Sequence, residues 1–187
     1  MGRSIFVTMV ALIAVVLAGA AGEGPSPLNR AVAAFARAQL GKAVGNGECT
    51  TLAVEALRSA GARRPPRDPR GDGDFVWGRP VGLFRDAQPG DVVQFRDAVF
   101  QGKQYVSKRR WITWRQSYVH HTAIIGAVRE DGRVIILLHQ NVGDDGASEA
   151  AKRIVTETTL RPESLQKGGK VSIYRPTPLS DPLPDGQ

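Results

Sequence analysis

Two short runs in residues 26–61 carry apolar residues at helical spacing. Ser26-Pro27, followed by LNRAVAAFARAQL and then by Gly41, is typical of a capped helix with proline at its first position. A second helix is predicted to begin near Cys49 and to continue through TTLAVEALRSA as far as Gly61. The apolar face of this second helix carries Leu52, Ala53, Ala56 and Leu57.

From Gly90 onward the apolar pattern changes to that of β-strands. Strands are predicted over 91–95, 105–119, 121–128, 134–141, 153–159 and 170–174. Residues 62–90 are rich in proline, glycine and arginine, and are predicted to form a long surface loop. Helices first and strands afterwards predict an α+β fold in which N-terminal helices pack on an antiparallel β-sheet.

Residues 1–22 have the pattern of a secretory signal peptide. Arg3 is followed by an apolar run and then by small residues at the spacing of a cleavage site. An uncleaved membrane anchor is the alternative, and no later segment approaches about 18 consecutive apolar residues. We therefore expect an exported protein, free of the membrane after cleavage, with one domain over 27–176. The Pro-rich tail at 177–187 is expected to be extended or disordered.

The chain is basic, with a formal net charge of +7; removing residues 1–22 takes away only Arg3 and leaves +6. A basic surface suits an anionic polymer such as cell wall, surface glycan or nucleic acid, although solubility explains it equally well. The segment 103–118 combines tryptophans with basic residues, which fits either stacking on sugars or an amphipathic strand. Scattered charge of this kind does not predict a specific nucleic-acid site.

Cys49 is the only cysteine, and an unpaired thiol in an exported protein needs an explanation. It opens the second helix, where the helix dipole and free backbone N–H groups favour a thiolate and can bind an oxyanion. A half-buried apolar filler is the alternative, and Glu48 would oppose thiolate formation if it pointed inward. Histidines later in the chain make Cys49 a candidate nucleophile.

The three histidines lie in two predicted strands, in YVHHTAII and VIILLHQN. Because side chains alternate along a strand, His139 and Asn141 share one face, and Gln140 takes the other. His120 and His121 likewise point to opposite faces. This alternation disfavours a zinc site built from all three histidines.

The turn between these strands decides which of the paired histidines meets His139. A three-residue loop over 130–132 places Ala123 opposite His139 and selects His121. A two-residue loop places Ile124 opposite His139 and selects the preceding histidine instead. Alanine leaves room for polar neighbours, which favours the first register, and the second stays open.

Several sequence elements in order resemble a known family. They are the helix-opening Cys49, QPGDVVQF at 88–95, HTAII at 121–125, LHQN at 138–141 and YRP at 174–176. The arrangement resembles the papain-like cysteine peptidases of the NlpC and CHAP type. It is similar in particular to the cysteine-proteinase-fold domain found at the end of some fungal actin-patch proteins. The resemblance extends from Leu28 to Pro176 and implies a papain-like α+β fold.

The resemblance also implies roles for named residues. Cys49 would be the nucleophile, His121 the general base, and His139 or Asn141 the orienting group, with no metal or cofactor. The activity implied is that of an exported cysteine hydrolase of peptide or amide bonds, with cell-wall peptide as the expected substrate. A papain-like module that binds a polymer or a protein partner without turnover is the alternative. Glu48 departs from the glutamine that many members carry beside the cysteine, which puts the side-chain oxyanion donor in doubt.

Overall fold

Both predicted helices are present in the computed structural model, which describes residues 24–64, 74–143 and 146–181. Helix α1 spans Pro27–Ala38 and is capped by Ser26, whose side chain accepts a hydrogen bond from the backbone N–H of Asn29. Helix α2 spans Cys49–Ser59. No helix in the described part of the chain is long and apolar enough to cross a membrane.

The second half forms one six-stranded sheet in the order β1-β6-β2-β3-β4-β5, and every neighbouring pair is antiparallel. A short helix, α3, spans Glu149–Lys152 between the fourth and fifth strands. The strands are β1 Arg79–Val81, β2 Val92–Ser107, β3 Arg110–Arg129, β4 Val134–His139, β5 Thr156–Leu160 and β6 Lys170–Arg175. The predicted α+β class, with N-terminal helices on an antiparallel sheet, is confirmed.

Two predicted segments differ from the structure. The predicted strand 105–119 contains a turn, because β2 and β3 form a long hairpin in which Ser107 lies opposite Arg110. The predicted surface loop 62–90 was wrong in part, since Arg79–Val81 joins the sheet and Trp77 is buried. The Trp77 indole N–H donates to Gln94 Oε1 at 3.0 Å, which satisfies its polar group inside the core.

The sheet has a hydrophobic cluster on each side. The helix face carries Val92, Ile124 and Leu138, which pack with α1 and α2. The opposite face, here called the aromatic face, carries Phe95 and Tyr118 with apolar residues of β4 and β5. Alternation along each strand therefore assigns neighbouring residues to different cores.

The QPGDVVQF and YRP motifs form a buried anchor between elements. The Asp91 carboxylate is fully buried and accepts a hydrogen bond from Asn29 Nδ2 at 2.7 Å and from Arg175 Nη2 at 2.9 Å. Gly90 has φ +91°, and a Cβ there would lie 2.0 Å from the Asn29 carbonyl oxygen. These contacts join α1, β2 and β6, so the two motifs are structural.

The structure describes the start of the predicted C-terminal tail but not the predicted signal peptide. The predicted signal peptide, 1–22, and residues 182–187 lie outside the described residues. The start of the predicted tail contacts the end of α2: the Thr177 carbonyl accepts from the Arg63 N–H at 2.9 Å, and the Leu179 N–H donates to the Gly61 carbonyl.

Candidate active site

Cys49 is the first residue of α2, and its thiol lies among backbone N–H groups. Backbone hydrogen bonds from Thr122, Thr50 and Cys49 itself reach the sulfur. Burial raises the pKa of the thiol, and the Glu48 charge raises it further, against the lowering effect of these hydrogen bonds. The resting thiol is therefore neutral at pH 7, and a base must remove its proton before it can attack a carbonyl.

Gln140 fixes the loop that leads into Cys49. Its fully buried amide accepts a hydrogen bond from the Val44 N–H at 3.0 Å and donates to the carbonyls of Val44 and Glu48 at 2.9 and 2.8 Å. A side chain that satisfies three backbone groups holds this loop against the end of β4. The cysteine is thus positioned by the strand that carries His139.

The carboxylate of Glu48 is held at the surface by two neighbours. Asn141 Nδ2 donates to Glu48 Oε2 at 2.7 Å, and Arg153 Nη1 lies 3.1 Å from Glu48 Oε1. Asn141, one of the two predicted orienting residues, therefore binds the residue that precedes the cysteine. His139 is the candidate that contacts His121.

The register of β3 and β4 at the site is the predicted one, although the turn is not. Arg129 lies opposite Val134, so the turn contains four residues, 130–133, instead of the predicted three, and residues 130–132 all have positive φ. A bulge at Gly126 then shifts the register by one residue, so that Ile124 lies opposite Leu138. The longer turn and the bulge compensate, and His121 and His139 fall on the same face.

His121 and His139 form a buried pair on the aromatic face. His121 Nε2 lies 3.0 Å from His139 Nδ1, and the two side chains are almost fully buried. The His121 ring stacks on Tyr118, with the ring centroids 5.1 Å apart. Burial, and then the neighbouring His139, lower the pKa of His121 well below its ordinary value, and burial lowers the pKa of His139 to about 4. Both imidazoles are therefore neutral at pH 7.

Thr158 of β5 extends the pair into a chain of hydrogen bonds. Its hydroxyl lies 2.9 Å from His139 Nε2 and also bonds the Tyr118 hydroxyl. Burial raises the pKa of Tyr118, and the bond from Thr158 opposes that rise. If Thr158 donates to Tyr118, it accepts from His139 Nε2–H, which leaves His139 Nδ1 free to accept from His121 Nε2–H. The proton order then leaves His121 Nδ1 as the basic nitrogen.

His120 occupies the other face of β3. Its Nε2 lies 3.0 Å from Asp74 Oδ1, and the same carboxylate oxygen receives a 2.7 Å hydrogen bond from Arg96 Nη2. The side chain is 37% exposed. The register that would have selected His120 does not form, and this histidine belongs to a surface ion-pair cluster.

The thiol lies where two strands separate. Toward the site, β3 and β4 pair no further than Ile124 and Leu138, and the Thr122 backbone beyond that point bonds Cys49. His121, next to Thr122, has its ring on the aromatic face with Nε2 engaged by His139. The thiol therefore contacts the β3 backbone at an opening in the sheet, one residue along the chain from His121.

A groove of about 600 Å³ lies beside this opening. It is lined by residues 115–121 of β3, by His139 and 141–143 after β4, by part of α3, and by Thr156 and Thr158 of β5. The two buried histidines reach its inner wall, so a molecule in the groove would lie beside the imidazole pair. Within the described residues, no group of three or more His, Cys, Asp or Glu side chains could hold a metal ion.

Sequence reasoning missed the polar residues that support the site. Gln94 accepts from Trp77 and from Thr122 Oγ1 and donates to the His121 carbonyl at 3.2 Å, which fixes the strand at the histidine. Gln140 and Thr158 hold the cysteine loop and the second imidazole. Polar residues inside apolar strand patterns are the signal, since a buried amide or hydroxyl needs a partner.

Comparison with known proteins gives one match. The family model described as the AIM3/BBC1 cysteine proteinase-fold domain matches residues 26–182, which is most of the chain. No curated protein and no solved structure matches.

Proposed function

The chain belongs to the AIM3/BBC1 cysteine proteinase-fold family, and from this premise we propose that it is an exported cysteine hydrolase of peptide or amide bonds. Cell-wall peptide is the substrate class we propose for it. The contact between His121 Nε2 and His139 Nδ1 is the observation that carries the proposal, together with the backbone hydrogen bond from the next residue, Thr122, to the Cys49 thiol. This is the geometry that a base and its orienting group require.

In the proposed mechanism, His121 acts through the nitrogen that His139 leaves free. His121 Nδ1 takes the proton of the Cys49 thiol as the sulfur attacks the carbonyl carbon. The resulting imidazolium returns that proton to the leaving amine, and a thioester to Cys49 remains. Water, deprotonated by His121, then cleaves the thioester, releases a carboxylic acid and restores the thiol. His139 holds the imidazole in the reactive tautomer throughout.

Backbone groups supply the stabilisation of the oxyanion in this proposal. The N–H groups of Cys49, Thr50 and Thr122 already converge on the sulfur, where negative charge develops at the start of the reaction. Glu48 has a carboxylate where many NlpC and CHAP relatives place an amide, so no side-chain donor from this position is invoked. The start of α2 adds the positive end of its dipole.

The proposal is tested by hydrolysis of a mixed peptide library, with new amino termini as the readout. We expect cleavage by the wild-type protein and a loss of more than about 100-fold in Cys49→Ser and His121→Ala, the contribution typical of a general base. His120→Ala is the matched control and should retain activity. Cleavage that survives Cys49→Ser would overturn the proposal, as would an inert but folded wild-type protein.

A binding module without turnover is the second candidate, and one observation favours it. Burial and Glu48 raise the pKa of the Cys49 thiol, whereas an activated nucleophile usually has a lowered one. In that case the groove beside the histidines would bind a polymer or a protein segment and release it unchanged. The same library separates the two candidates, since this module would retain peptides in the groove and produce no new amino termini.

A further inference from the structure

The two strands that border the groove contribute to it in different ways. From β5 and the residues before it, alternate positions line the groove: Ile154, Thr156 and Thr158. From β3, seven consecutive residues, 115–121, line it. A strand that presents one face contributes alternate residues, whereas a strand that presents its edge contributes every residue. The groove therefore runs along the backbone edge of β3.

Alternation identifies the backbone groups on this edge. The Ile125 N–H donates to the Asp91 carbonyl, and its carbonyl accepts from the Gly90 N–H, so odd-numbered residues direct their backbone groups toward β2. Near Cys49, even-numbered residues direct theirs to the other edge, and the hydrogen bond from Thr122 to Cys49 agrees with this. The alternation breaks between Tyr118 and His121, because both of these side chains lie on the aromatic face. Arg115 and Ser117 before the break, and His120 after it, therefore present N–H and C=O groups to the groove.

This stretch of edge has no strand partner among the described residues. β4 pairs with β3 only over 124–129, whereas β2 covers the opposite edge of β3 from 110 to 124. The Gln116 Nε2 group donates to the Thr159 carbonyl at 3.0 Å, but its buried Oε1 has no partner. An unpaired edge of three backbone sites and one amide oxygen matches the hydrogen-bonding groups of an extended peptide.

The charges on the described wall of the groove are positive. Arg115 has no ion-pair partner among the described residues, and Lys152 Nζ lies 3.1 Å from the exposed carboxylate of Glu149. The described residues that line the groove include no aspartate or glutamate. The Arg115 and Lys152 side chains favour a peptide with carboxylate side chains over a basic one.

We propose that the groove binds an extended acidic peptide as an added strand along residues 115–121 of β3. Its backbone pairs with Arg115, Ser117 and His120, and its acidic side chains lie near the Arg115 and Lys152 side chains. A strand continued along this edge reaches Thr122 and Cys49, and only this last placement, as a substrate, rests on the proposed function.

The test measures binding to full-length Cys49→Ala by fluorescence anisotropy, with labelled ten-residue peptides of alternating Thr-Glu, Thr-Gln and Thr-Lys. We expect the Thr-Glu peptide to bind at least tenfold tighter than the Thr-Lys peptide. N-methylation of every amide should abolish binding, because the peptide then has no backbone N–H group to donate to the edge. Arg115→Glu should reverse the charge preference, whereas Arg110→Glu, on the same strand but outside the groove, should not.

Two results would overturn the inference. If N-methylation leaves the affinity unchanged, the peptide does not pair with the edge. If Arg110→Glu acts as strongly as Arg115→Glu, the attraction is general surface charge. Binding without hydrolysis by the wild-type protein would remove the proposed enzyme and keep the groove, whereas hydrolysis without these binding effects would remove the groove and keep the enzyme.

Discussion

His120 and His121 are adjacent in the sequence but contact different parts of the molecule. His120 is partly exposed on the helix face and pairs with Asp74, which also binds Arg96. His121 is buried on the aromatic face, where its ring contacts those of Tyr118 and His139. One residue of register thus separates a surface ion pair from a buried imidazole pair. Because the two side chains have the same chemistry, the strand register decides which of them can act as the base.

The same contrast extends to the residues around each histidine. On the aromatic face, His139 and Thr158 can fix a single order of proton donors, as a base and its orienting group need. Around His120 the neighbours are the Asp74 carboxylate and the Arg96 guanidinium, which form an ion pair with each other and leave the imidazole partly exposed to water. We therefore expect substitutions on the aromatic face to change the reactivity of Cys49, and substitutions at Asp74 to leave that reactivity unchanged.

Replacing the orienting histidine, His139, should give the largest difference in Cys49 reactivity between the two faces. His139→Leu removes the acceptor for His121 Nε2–H at similar volume, and we expect the alkylation rate of Cys49 by iodoacetamide at pH 7.5 to fall roughly 100-fold. His120→Leu, the matched variant on the other face, should change it less than about threefold. Mass spectrometry of the modified peptide gives both rates. Equal losses in the two variants, with folding intact by circular dichroism, would contradict the division of roles.

Mild acid should lower the free energy of unfolding through the buried histidines of the aromatic face, an effect smaller than that of His139→Leu on the alkylation rate. The pKa of His139 is lowered from 6.5 to about 4, so between these values the unfolded chain binds a proton that the folded chain excludes. The stabilisation is complete above pH 6.5 and declines as the pH falls toward 4. At pH 5 His139 alone accounts for about 2 kcal/mol of lost stability relative to neutral pH. His121, shifted in the same direction, adds to the loss.

Urea unfolding at pH 7.5 and pH 5 measures this loss. His139→Gln should reduce the pH dependence of the free energy of unfolding, because its side chain does not titrate. His120→Gln should leave most of it in place. If His139→Gln loses as much stability between the two pH values as the wild-type protein, then burial of this imidazole does not govern the acid response.

Periodicity was sufficient for the elements that build the site. The apolar spacing around Leu52 and Leu57 predicted α2 and placed Cys49 at its start, and the favoured of two registers placed His121 and His139 on one face. The register was correct although the predicted loop was not, because the longer turn and the bulge at Gly126 offset each other. Local pattern predicts which side chains of a strand share a face. The pairing between two strands is predicted correctly only when one-residue differences, such as this turn and this bulge, offset each other.

Contacts between distant segments could not be predicted in this way. The turn after Ser107 is formed by Lys108 and Arg109, with none of the usual turn residues, so the sequence pattern predicts one strand where the structure has a hairpin. Thr158 reaches His139 only because β5 pairs with β4, and its own sequence, TETTL, carries no sign of that role. Such partners depend on strand order and register, which a single sequence does not determine.

The proton order of the buried imidazole pair tests the role of His121 as the base most directly. Long-range ¹⁵N–¹H spectra of protein labelled at histidine, assigned with His120→Gln and His139→Gln, report which ring nitrogen carries the proton at pH 7. We expect neutral rings for His121 and His139, each protonated at Nε2, with the Nδ1 of His121 free to accept the proton of Cys49. A proton on His121 Nδ1, with its Nε2 accepting from His139, would leave no base for the thiol and would contradict the proposed mechanism.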